Sequence, residues 1–94
     1  MFSEIDHLAL SRALDDDVIE LMQADLMARA GEVEGLVAAY CTQPARDQLV
    51  LVLLTHTAEE MKAVHEIVSP WIAEHLAPYL ASQDRKPGPV IAHS

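Results

Sequence analysis

Ninety-four residues allow one domain, because chains divide into separate cores only well above this length. Fifteen Asp and Glu against six Lys and Arg, a formal charge of -9, argue against nucleic-acid binding and against docking on an anionic membrane, both of which require basic side chains. A hydrophobic content of 51% excludes a disordered body, and 4% aromatics leave the core to Leu, Val, Ile, Ala and Met.

Taken in chain order, Ser3 reads as an N-cap with Glu4 and Asp6 in the following turn, which predicts a short helix to about Leu14. The acidic triplet Asp15–Asp17 interrupts it. Asp17 and Glu20 have capping-box spacing and predict a second helix running to about Tyr40. Thr42 and Pro44 punctuate the chain. The run Leu49–Leu54 fits a buried strand, with Thr57 and Glu60 capping a helix after it. A lone strand needs a partner, however, and no second β-like run is visible, so the preferred reading is one helix over about 45–68. Ser69 and Pro70 then open a last helix to about Ala81. The domain spans 1–82, and residues 83–94 read as a flexible tail whose removal leaves the fold intact.

The expected fold class is therefore all-α: a long antiparallel helical hairpin with a short helix at each end. Leu49–Leu54 would be apolar all round such a helix, which one hairpin cannot cover. That predicts a homodimer with a four-helix core. A ridge of small residues, Ala24, Ala28, Gly31, Gly35 and Ala39, fits close helix packing, unless the second helix ends at Gly31.

On the helical wheel, Asp25, Arg29 and Glu32 interrupt the apolar face of the second helix at i, i+4 and i+7, and His56 with Glu60 interrupts that of the third. Folding the hairpin about Thr42 sets Arg29 level with His56 and Asp25 level with Glu60. Three readings fit this cluster. It is a salt-bridge network around Arg29; or a metal site in which Glu32, His56 and Glu60 bind iron in a ferritin-like dimer; or a small-molecule pocket with Arg29 as anion clamp and Glu60 or His56 as acid–base. The stretch from Trp71 to Leu80 resembles the region after the metal-binding helix of encapsulated ferritins. The resemblance covers ten residues and no metal ligand. Where that family has Glu-x-x-His, this chain has His56-Thr57-Ala58-Glu59-Glu60 and then His65.

Cys41 is single, so no internal disulfide forms, and a helix end with no neighbouring base makes it a structural residue. The N-terminus shows no basic and apolar leader pattern, and no apolar run reaches the ~20 residues of a membrane helix. These features predict a cytoplasmic protein. The expected function is that of a small acidic accessory protein that binds a partner with a basic surface as a homodimer and needs no cofactor. The alternatives are the di-iron bundle and the small-molecule pocket.

Overall fold

The computed structural model describes all 94 residues, Met1–Ser94, and its first element already departs from the helical expectation. Phe2–Leu10 is strand β1, not a helix. Its even-numbered residues Glu4, Asp6, Leu8 and Leu10 are buried, while Ile5 and His7 face out. This is the period of two that only a pleated strand produces. Asp15 then stands at an N-cap, and α1 (Asp16–Leu21), a π-helical segment (Met22–Leu26) and α2 (Met27–Gly31) form one interrupted helix. It ends at Gly31, well before the predicted Tyr40.

Leu36–Ala45 is strand β2 and Gln48–Thr55 is strand β3. The run Leu49–Leu54 is therefore a strand. Leu49, Leu51 and Leu53 are buried beneath the helices, and Val50, Val52 and Leu54 lie half-buried on the other face. Helix α3 covers Ala58–His75 and begins at Thr57 with a complete capping box. Glu60 N–H donates to Thr57 Oγ1 at 3.2 Å, and Thr57 N–H donates to Glu60 Oε1 at 2.9 Å. Helix α3 passes through Pro70 without ending, so no separate helix starts at Trp71. Leu80–Pro89 forms strand β4, in place of the flexible tail that composition predicts.

The four strands make one antiparallel sheet in the order β2-β3-β1-β4. The partners that the apolar run lacked in the sequence are thus Phe2–Leu10 on one side and Leu36–Ala45 on the other. β1 and β2 flank β3, and β3 and β4 flank β1, so each helical connection joins parallel strands separated by one antiparallel strand. This is the split-βαβ, ferredoxin-like α+β fold, and it replaces the all-α hairpin. The helices cover one face only. There Leu8, Leu49, Leu51 and Leu53 of the sheet pack against Met22, Leu26, Met61, Val64, Val68 and Ile72. No helix is long and apolar enough to cross a membrane.

Candidate functional site

The interruption in the first helix positions a cavity. A π-helical turn adds a residue to the ladder, shifts the side chains after it around the helix, and recurs at functional sites. Here the segment Met22–Leu26 points Met22 and Gln23, with Ile19 before and Met27 after, toward the β2 edge of the sheet. Between them and the strands lies a cavity of about 480 Å³. Leu14 and Leu49 close one side, and Leu36, Ala39 and Cys41 of β2 line the other. Of the twelve lining residues nine are hydrophobic, and Gln23, Thr42 and Gln43 supply the polar groups. An apolar chamber of this size with a few neutral hydrogen-bonding groups suits a small, mostly apolar molecule.

The electrostatics of the chamber are neutral. Burial pushes the Cys41 thiol up to about 11, so it is a thiol and not a thiolate at neutral pH. Gln23, Thr42 and Gln43 do not ionise. The chamber therefore orients a molecule by hydrogen bonds and shape, and any proton the molecule loses must already be acidic.

Tyr79 anchors the start of the first helix. Asp15 does not cap α1 with its side chain; its Oδ2 instead accepts a hydrogen bond from the Tyr79 hydroxyl at 2.7 Å. That bond holds the Tyr79 hydroxyl above its ordinary pKa. The Arg12 guanidinium lies 4.3 Å from the centre of the Tyr79 ring.

The polar residues singled out in the sequence are dispersed. Asp25 and Arg29 do meet, with Arg29 Nε donating to Asp25 Oδ1 at 3.0 Å, but the Arg29 side chain is 61% exposed. The second partner of Asp25 is Trp71, whose Nε1–H donates to Oδ2 at 2.8 Å. The indole bond, then the Arg29 bond, hold the Asp25 carboxyl below its ordinary pKa against some desolvation. Glu32 follows α2 and shares with Arg29 and Trp71 a surface groove between α2 and α3. Glu60 belongs to the α3 cap, and His56 is exposed, its backbone N–H donating to Gly35 O at 3.2 Å. No hydrogen bond or ion pair joins Arg29 to His56 or Glu60, because the hairpin that would align them does not exist in this topology. Glu32, His56 and Glu60 do not gather, and no three His, Cys, Asp or Glu side chains are placed to hold a metal ion. The helical bundle and its di-iron site fall with the all-α fold.

The chamber leaves little trace in the sequence. Its lining comes from a helix, a loop and two strands, and the one local signal, a cluster of Met22 and Met27 beside Gln23, reads equally well as core.

No family model matches the sequence, and no curated protein matches it. Solved structures do match the fold. SnoaB, a cofactor-independent oxygenase from Streptomyces nogalater, superposes with a TM-score of 0.74 at 9% identity, over 98% of this chain and 94% of that one. A putative antibiotic biosynthesis monooxygenase from Nitrosomonas europaea gives 0.72 at 14% identity, over 96% and 89%. A dimeric ferredoxin-like protein from an uncultured marine organism gives 0.68 at 15% identity, over 100% and 98%. At these identities the likeness is one of fold, and it extends over nearly the whole of each chain: this protein is a domain of ferredoxin-like fold.

Proposed function

We propose that the protein is a homodimeric small-molecule domain of the cofactor-independent oxygenase type, which takes a hydroxylated aromatic compound into the chamber between the first helix and β2–β3. The observation that carries this is the chamber itself, half open to solvent, with nine hydrophobic residues among its twelve and polar side chains from Gln23, Thr42 and Gln43. The oxygenase and the putative monooxygenase among the fold neighbours support the reaction class. The neutral wall sets a condition on the substrate: with no base in the chamber, the substrate must be acidic enough to lose its own phenolic proton before it can give up electrons to dioxygen.

The homodimer has its own support. The helices leave one sheet face uncovered, and that face carries Ile5, Tyr40, Val50, Val52 and Leu54. Tyr40 is 59% exposed and Ile5 36%. Contiguous apolar surface on a sheet is covered in stable proteins, and a second copy supplies a matching face. The dimeric ferredoxin-like neighbour is consistent with this. A free Cys41 fits the reducing cytoplasm.

The test uses 1-naphthol as probe. Its binding, followed by fluorescence, should be saturable in the native protein. Ala39→Phe, which fills the chamber from β2, should abolish it while leaving the circular dichroism unchanged. Oxygen uptake with naphthalenediols should exceed the uncatalysed rate and respond to the same substitution. Equal binding by the filled variant would overturn the reading.

A further inference from the structure

Two carboxylates are buried on β1 where the core should be apolar. Glu4 and Asp6 are each 1% exposed and point to the same side as Leu8 and Leu10. Arg85 stands opposite Asp6 in the β1–β4 register, and His65 comes down from α3. Arg85 Nε is 3.3 Å from Glu4 Oε1, and His65 Nδ1 is 3.4 Å from Glu4 Oε2. Arg85 Nη1 meets His65 Nε2.

These contacts assign the imidazole proton. A guanidinium only donates, so Nε2 of His65 accepts, and the ring proton of neutral His65 sits on Nδ1, 3.4 Å from Glu4 Oε2 but outside hydrogen-bond geometry. A buried carboxylate beside one nitrogen of an imidazole can balance the ring's charge once the other nitrogen takes a proton, as in a histidine general base. The other nitrogen is covered by Arg85 Nη1. The side chains of His65 and Arg85 are 29% and 42% exposed, so solvent reaches both while Glu4 stays covered.

A simple structural ion pair does not account for the cluster. Glu4 Oε2, Asp6 Oδ1 and His65 Nδ1 are buried and have no full hydrogen bond. Buried polar atoms are normally satisfied, and three orphans side by side leave hydrogen-bonding capacity for a further partner. A metal ion is a poor occupant, because the fixed charge of Arg85 touches both Glu4 and His65. Desolvation, then Glu4, raises Asp6 to about 7, so at neutral pH Asp6 keeps its proton for much of the time. That leaves mainly one buried negative charge facing one guanidinium, and an anion can approach.

We propose that Glu4, His65 and Arg85 form an acid–base site for small carboxylates. The ligand carboxylate pairs with the outer nitrogens of Arg85, whose Nε stays on Glu4, and so displaces the Arg85–His65 contact. The freed Nε2 takes a proton from the neighbouring ligand O–H or C–H, or returns one to it. The proton moves between ligand and imidazole alone, and Glu4 balances the imidazolium. None of these residues lines the chamber, so the site stands or falls separately from the reading above.

Histidine nitrogen NMR on the full chain, with sodium acetate as probe and sodium chloride as the ionic-strength control, tests it. Without acetate, His65 should show the Nδ1–H tautomer. Acetate should shift the His65 ring saturably and raise its proton affinity, while His75 and His93 do not move. Arg85→Gln should weaken acetate binding about tenfold or more, with Arg85→Lys falling between, because a lysine keeps the charge and loses the fork. Glu4→Gln should lower the proton affinity of His65. An Nε2–H tautomer in the native protein, or acetate shifts at His65 no larger than at His75, would overturn the proposal. Both are read on the unmodified chain, so they decide the matter even if a variant fails to fold.

Discussion

Gly35 lies directly beneath the carboxylate of Glu60, at φ +93°, and a β-carbon at Gly35 would overlap that carboxylate. The turn from the first helix into β2 thus needs glycine twice, for the backbone angle and for the space. Gly35→Ala should destabilise the fold by about 1–3 kcal/mol. In a domain of this size that is roughly 5–20 °C in melting temperature. Glu60→Ala removes the overlapping group and one half of the α3 cap, so the double variant should lose clearly less than the sum of the two singles. Thermal melts of the four proteins measure this, and strict additivity would mean that a β-carbon at Gly35 does not meet Glu60.

Arg29 offers a contrast with what its place in the sequence suggests. A buried Arg29 among carboxylates would make Arg29→Met cost several kcal/mol. At 61% exposure, with one carboxylate partner, its replacement should fall within about 0.5 kcal/mol. Asp25→Ala should lower the melting temperature more, because it leaves the indole N–H of the buried Trp71 without its acceptor. The Asp25 carboxyl is held below its unfolded value of 3.8, so its contribution is complete above about pH 4 and disappears as pH falls through the folded value. Trp71→Phe should remove most of that acid-side dependence.

Asp6 titrates in the opposite sense. Its folded pKa of about 7 exceeds the unfolded 3.8, so between these values the unfolded chain has lost a proton that the folded chain keeps. Stability should therefore fall as pH rises from about 4 to about 7, with a slope approaching about 1.4 kcal/mol per pH unit, and level off above. Asp6→Asn copies the neutral acid and cannot ionise. Urea denaturation should show it stabilised at pH 8 and little changed at pH 4. A gain at pH 4 as large as at pH 8 would refute the assignment.

The C-terminal strand reverses a sequence-based expectation. Gln83 to Ser94, with two prolines and a glycine, has the composition of a tail, yet Ser82–Pro89 pairs with β1 in register and Val90 N–H donates to Met1 O at 3.0 Å. Deleting 84–94 removes Arg85 from buried Glu4 and exposes an edge of β1. The melting temperature should drop by well over 10 °C. Deleting only 91–94 should change it by a degree or two.

What the residues revealed, and what they concealed, follows from where alternation fails. On β1 the buried positions carry Glu4 and Asp6 while Ile5 is exposed, so the strand reads as a polar helix start. On β2 the stretch Leu36 to Cys41 holds two alanines and little of the β-branched enrichment expected of a strand. With both neighbours disguised, Leu49–Leu54 has no visible partner in the sequence and reads as part of a helix. Local signals survive better. The Thr57–Glu60 capping spacing marks the true start of α3, and Gly31 ends the first helix. The one pairing found within the polar cluster, Asp25 with Arg29, is also the one at helical i, i+4 spacing. Contacts that depend on sheet register, such as Glu4 with Arg85, leave no trace in local spacing.

The uncovered sheet face yields the last prediction. Val52 sits at its centre, with Ile5 opposite it on β1 and Tyr40 opposite it on β2. Val52 is only half-buried in the single chain, so Val52→Lys should leave the monomer folded: the lysine stem lies along the sheet and its ammonium reaches water. In a dimer joined through this face the same ammonium would be trapped between two sheets without a partner, at a cost of several kcal/mol. Sedimentation at micromolar concentration should therefore give about twice 10.3 kDa for the native chain and 10.3 kDa for the variant, with both showing the same circular dichroism. A native chain that sediments at 10.3 kDa would show that this face stays open to water, and the homodimer would be wrong.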